Sequence, residues 1–166
     1  GGVGKTTLAQ MVYNDDRKKG HFQETAWICV SQGYSKDDLL KEILENIRVK
    51  YMLDETVGKL SRKLAAFVEN KKVFLVLDDI WQHEVWTDLL PTPWFGSGSR
   101  VLVTTRDDIT AQVIGVEDLY RVELMSDDVA WELFWKSANV AEEAEVQDLR
   151  DTGSQVLDYC GGLPLA

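Results

Sequence analysis

The sequence predicts an α/β fold: a parallel sheet with helices on both faces, followed by the start of a smaller helical subdomain. Three observations carry this. Short apolar runs of strand length alternate with stretches whose apolar residues recur at helical spacing, the pattern of successive βα units. The chain opens on a glycine-rich turn, Gly1-Gly2-Val3-Gly4, that runs directly into a helical stretch. After about residue 125 the strand-like runs stop and the pattern is helical throughout.

Residues 5–13 read as a helix leaving the glycine-rich turn. Thr25-Ala26-Trp27-Ile28-Cys29-Val30 is rich in β-branched and aromatic residues and reads as a strand. Ser35 suits a helix N-cap, with Asp38 three residues on as a weak capping box. Leu39, Leu40, Ile43, Leu44 and Ile47 then follow at helical spacing, and Val57, Leu60, Leu64 and Phe67 mark the next helix. Residues 73–77 form a continuous apolar run ending at Asp78, which suits a strand buried on both faces. Residues 91–99, with two Pro and two Gly, read as a loop. Val101-Leu102-Val103-Thr104-Thr105 is the next strand and ends at Arg106, and residues 120–124 read as a weaker one. From Ser126, Val129, Leu133 and Phe134 open a helical tail that turns polar as far as Tyr159. The expected division is an α/β subdomain over residues 1–124 and the beginning of a helical subdomain over 125–166.

The 166 residues are 45% hydrophobic and include six Trp, enough for a true core and too apolar for a disordered chain. The Trp residues are expected in packing rather than as base-stacking platforms, because no basic residues interleave them. A net charge of −10 leaves no basic face for nucleic acid, and none is expected as a partner. Cys29 and Cys160 are far apart, which favours a reducing compartment over a disulfide framework. No apolar run approaches the roughly 20 residues of a membrane span, and no signal peptide is visible. His21 and His83 have no Cys or His at ligand spacing, so no zinc site is expected.

Gly1-Gly2-Val3-Gly4-Lys5-Thr6-Thr7 is most of the phosphate-binding pattern G-x-x-x-x-G-K-[ST]. The glycines let the backbone N–H groups converge on phosphate oxygens, and the helix that follows adds its positive end. Lys5 supplies a point charge to the outer phosphates, and the Thr6 hydroxyl suits a magnesium ion bridging them. Phe74-Leu75-Val76-Leu77-Asp78-Asp79, an apolar run closed by two acids, has the form of the second nucleotide motif. There the first acid, Asp78, holds magnesium, and the second, Asp79, orients or deprotonates the attacking water. With both motifs in order, the sheet is expected to be that of a P-loop NTPase with its first strand missing. Arg106 lies just past a strand, where ligands of open α/β sheets sit, and can read a terminal phosphate; the alternative is a surface Arg paired with Asp107 or Asp108. The leading Gly of the loop would fall two positions before residue 1, and Gly162-Leu163-Pro164-Leu165-Ala166 has no closing helix after it. The chain is therefore expected to be a piece of a larger protein, and on its own a marginal folder and weak nucleotide binder.

Taken together the motifs resemble the NB-ARC nucleotide-binding domain of plant intracellular immune receptors of the nucleotide-binding leucine-rich-repeat class. The phosphate loop, Ala26-Trp27-Ile28-Cys29-Val30-Ser31-Gln32, the block from Phe74 to Trp81, Gly98-Ser99-Arg100 with Thr104-Thr105-Arg106, Tyr120-Arg121-Val122-Glu123-Leu124 with Ala130-Trp131-Glu132-Leu133-Phe134, and the block from Gly162 to Ala166 carry the resemblance. Trp81 and the AWICVSQ block are similar to the coiled-coil subclass. The resemblance implies an ADP-bound closed state, an ATP–magnesium open state that oligomerises, and at most slow ATP hydrolysis in which Asp79 is the catalytic carboxylate that orients or deprotonates water. It implies nucleotide contacts from Gly1, Gly2, Val3, Gly4, Lys5, Thr6 and Thr7, γ-phosphate sensing by Arg106, and Pro164 near the adenine. It further implies cytoplasmic localisation and contacts with coiled-coil, winged-helix and leucine-rich-repeat regions. The rival readings are a P-loop ATPase or kinase with its own substrate, a related signalling ATPase outside immunity, and a non-functional gene piece.

Overall fold

The apolar run at residues 73–77 becomes the middle strand of a parallel sheet in the computed structural model, which describes residues 2–18, 20–31, 33–89, 98–114, 119–138 and 150–164. Expectations that fall on Gly1, Gln32, residues 91–97, residues 139–149, Leu165 and Ala166 lie outside the described residues. The chain divides into two compact units, Thr6–Leu119 and Gly1–Lys5 with Tyr120–Ala166.

In the first unit the strand order is β1-β2-β3, with β1 Glu24–Cys29, β2 Val73–Ile80 and β3 Arg100–Thr105, all parallel. Side chains alternate across a strand, so β2 serves both faces of the sheet. Val73, Leu75 and Leu77 join Ala26 and Ile28 of β1 on one face. There they pack on Leu39, Leu40, Ile43 and Leu44 of α2 (Lys36–Asn46) and on Leu60, Leu64 and Val68 of α3 (Val57–Val68). Phe74 and Val76 take the other face with Trp27, Leu102, Phe22 and, from α1 (Lys5–Asn14), Ala9 and Tyr13. Phe22 stacks on Phe74 at 5.3 Å between ring centroids, and Tyr13 meets Trp27 edge-on at 5.4 Å. A strand buried on both faces cannot alternate in polarity, which is why β2 reads as an unbroken apolar run.

Ser35 caps α2 as its spacing predicts: Asp38 N donates to Ser35 Oγ at 3.1 Å, and Ser35 Oγ donates back to the Asp38 carboxylate at 2.6 Å. Two short helices were not foreseen, α4 Glu84–Leu89 and α5 Asp108–Val113. The signal for α5 was present, since Asp107 accepts from Thr110 N at 2.7 Å and Ile109 N at 3.4 Å as its N-cap.

In the second unit α6 (Asp127–Ala138) packs against α7 (Arg150–Cys160). Gly153 makes this close: a Cβ there would lie 3.1 Å from the Trp135 ring and 3.3 Å from that of Trp131. The strand expected over residues 120–124 does not form. Its apolar residues alternate, but Tyr120 is 78% and Leu124 57% exposed. Alternation without a sheet edge to pair with yields extended chain, not a strand. Among the described residues no helix is long and apolar enough to cross a membrane.

Candidate functional site

The second unit holds the glycine-rich loop and the block that contains Pro164. Gly2 (φ 89°) and Gly4 (φ 93°) both occupy left-handed backbone, which only glycine enters without strain, so the loop turns sharply at both. Val3 and Lys5 are half-buried, and α1 begins at Lys5. Helix α7 ends at Gly161 and Gly162, both at positive φ. Met125 N donates to the Gly162 carbonyl at 3.0 Å, tying this turn to the start of the helical segment. The turn carries Pro164 to the loop, where a Cβ on Gly4 would lie 3.8 Å from Pro164 Cγ. The structure thus brings Gly4 and Pro164 together across the length of the chain.

In the first unit the two acids that close β2 separate. Asp78 is 4% exposed. Thr6 Oγ1, in the first turn of α1, donates to its carboxylate at 3.0 and 3.1 Å, and Thr104 Oγ1 donates to Oδ1 at 2.5 Å. Among the described residues no cationic side chain pairs with Asp78. A buried carboxylate is stable only when hydrogen-bonded or paired with positive charge. Here hydroxyls alone meet it, and a Ser/Thr hydroxyl with one carboxylate is the protein share of a magnesium site completed by phosphate and water. The residues present fit that ion. No cluster of three His, Cys, Asp or Glu occurs among the described residues.

Asp79 faces elsewhere because the β2–β3 register breaks between Leu77 and Ile80. A bulge shifts the side-chain parity of a strand. Leu77 and Ile80, three apart, consequently both reach the α2–α3 core. Asp79 takes up the irregularity with φ 59°, a conformation Asp tolerates better than most residues. Its N–H donates to Thr104 Oγ1 at 2.9 Å. The Thr104 hydroxyl therefore accepts from Asp79 N and donates to Asp78, which fixes the orientation of both acids. Sequence reasoning missed Thr104 as a site residue, although it stands in the Thr104-Thr105-Arg106 block.

Arg106 pairs across the strand ends with Asp79. Its Nε and Nη2 donate to the two oxygens of Asp79 at 3.1 and 3.2 Å, a two-pronged pairing, and its guanidinium lies 4.8 Å from the centroid of the Trp81 ring. Asp107 is occupied as the α5 cap, and the Thr110 hydroxyl, then the Thr110 N–H, hold its carboxyl below the usual range. The Cys29 thiol, in register with Asp78, is pushed up by burial and then by the charges of Asp78, Asp79 and Glu42. The carboxyl end of the sheet thus carries the carboxylates of Asp78 and Asp79, the second already paired with Arg106. Thr7, also in the first turn of α1, is exposed.

Comparison with known proteins bears on what such a site serves. A model of the NB-ARC domain family matches residues 1–144. The chain is 37% identical over 170 residues to disease resistance protein RGA2 of Solanum bulbocastanum, covering 100% of the chain and 18% of that protein. It is 34% identical over 171 residues to disease resistance RPP13-like protein 4 of Arabidopsis thaliana, covering 99% of the chain and 20% of that protein. The chain thus spans about a fifth of the curated relatives it matches.

Proposed function

The chain belongs to the NB-ARC domain family of nucleotide-binding modules, and on that premise we propose that it is the ADP/ATP switch of an intracellular plant immune receptor. One observation supports the reading above all others: Thr6, beside the glycine-rich loop, and Thr104, near the end of β3, both hydrogen-bond the buried Asp78. The two nucleotide motifs are far apart in sequence, and a nucleotide site requires them side by side.

In this reading the backbone of Gly1, Gly2, Val3 and Gly4, with Lys5 and Thr7, binds the phosphates, and Pro164 lies against the adenine. Thr6 and Asp78 hold magnesium, whose charge offsets that of the phosphates. Arg106 reads the third phosphate, and Asp79 orients water for a slow hydrolysis that resets the switch. Residues 1–124 act as the nucleotide-binding subdomain and 125–166 as the start of the helical one. The switch works in the cytoplasm, with ADP holding the receptor closed through its coiled-coil, winged-helix and leucine-rich-repeat regions and ATP favouring an oligomer. A ligand shifts such an equilibrium only by its differential affinity for the two states, and the third phosphate is the chemical difference available.

The test is titration of the protein that carries this chain with ADP and a slowly hydrolysed ATP analogue, with and without magnesium. Asp78→Ala is expected to remove the magnesium enhancement of ATP-analogue binding while ADP still binds. An unchanged magnesium dependence in Asp78→Ala would contradict the assignment.

A further inference from the structure

Trp81 follows the end of β2 and Arg106 follows the end of β3, one residue beyond the registered pair Ile80–Thr105. The register therefore sets the indole beside the guanidinium. Trp81 is 38% exposed, and its ring takes up the Arg106 guanidinium at 4.8 Å, within the range of a cation–π contact. The guanidinium fork is at the same time filled by both oxygens of Asp79. Asp79 is itself fixed, by its left-handed backbone and by the bond from its N–H to Thr104. Arg106 thus has two partners of different kinds. The carboxylate occupies its hydrogen-bond donors and is exchangeable for any other planar or tetrahedral oxyanion. The ring lies 4.8 Å from the guanidinium carbon and leaves the donors to the carboxylate.

Resting on the nucleotide-site reading above, we propose that Trp81 is the positioning residue of the switch: it holds Arg106 in place while the guanidinium exchanges Asp79 for a third phosphate. The exchange has two consequences at once. Arg106 registers the phosphate, and the Asp79 carboxylate is released to orient water. With ADP there is no competing oxyanion at that point, so Arg106 stays on Asp79 and both groups remain engaged. Trp81 therefore governs discrimination between the two nucleotides rather than nucleotide affinity as such.

The experiment measures the dissociation constants of ADP and of a slowly hydrolysed ATP analogue with magnesium, in the protein that carries this chain and in variants. Trp81→Ala is expected to weaken the ATP analogue by roughly two- to fivefold, the scale of one exposed cation–π contact, and to leave ADP unchanged. Trp81→Phe, which keeps an aromatic face, restores most of the ratio, and Trp81→Leu, which keeps apolar bulk without one, does not. Asp79→Asn, which suits the left-handed backbone and removes the competing charge, strengthens the ATP analogue relative to ADP. If Trp81→Ala fails to fold, the contrast between Trp81→Phe and Trp81→Leu decides alone. Equal ADP-to-ATP ratios in parent, Phe and Leu proteins would overturn the proposal while leaving the nucleotide site standing. A parent protein that binds neither nucleotide would overturn both.

Discussion

At the scale of single residues, Thr104 and Gly162 show how little atomic room the site leaves. The Thr104 hydroxyl has one proton, given to Asp78, and accepts the Asp79 N–H, so only a side chain with a hydroxyl at this position satisfies both acids. Gly162 combines φ 75° with a backbone that leaves no space: a Cβ would lie 2.8 Å from the Met125 carbonyl oxygen. Neighbouring Gly161 has φ 55° and nothing within 4 Å. The two therefore separate conformational strain from collision. Gly161→Ala is expected to cost about 1–2 kcal/mol, the left-handed penalty alone. Gly162→Ala should cost more, and should weaken ADP binding by displacing Pro164 from the loop. Thermal melting and ADP titration of the two variants check this. Equal losses at both positions would show that the Met125 contact plays no part.

At the scale of elements, β2 is the axis of the first unit, because it is the middle strand, places buried apolar side chains on both faces of the sheet and carries both acids. Leu75→Ala, in the middle of the α2–α3 face, is expected to lose about 2–5 kcal/mol, as deletions in packed cores do. Ser35→Ala, which removes one cap bond, should lose about 1 kcal/mol. Chemical unfolding of the domain measures both, and a Ser35→Ala loss as large as that of Leu75→Ala would contradict this ordering. Elements whose stability is local or whose burial is two-sided were legible in the sequence: β2 from its continuous apolar run, α2 from its cap and helical spacing. The alternating residues 120–124 misled, because a strand exists only by pairing and nothing in a local pattern names the partner. The contacts of Thr104 with Asp78 and of Trp81 with Arg106 were hidden for the same reason. They depend on the β2–β3 register and its bulge at Asp78 and Asp79, which are properties of two strands together. The motifs of the proposed site were legible because phosphate chemistry demands particular residue types at fixed spacing. The partner of Arg106 was not, since a guanidinium accepts any carboxylate its strand end brings near.

At the scale of the whole molecule, nucleotide binding and folding are one linked equilibrium. A ligand that binds the native state alone stabilises it by about 2.7 kcal/mol at a hundred times its dissociation constant. In the proposed reading Lys5 is the side chain that meets the outer phosphates, so it carries the nucleotide-dependent part of that stability. The measurement that tests this reading most directly is ADP and ATP-analogue titration of the protein that carries this chain against its Lys5→Ala variant, with melting curves of each. The account predicts that Lys5→Ala loses most binding of both nucleotides and most of the nucleotide-induced rise in melting temperature, while its melting without nucleotide matches the parent. Equal nucleotide affinity in parent and variant would contradict it.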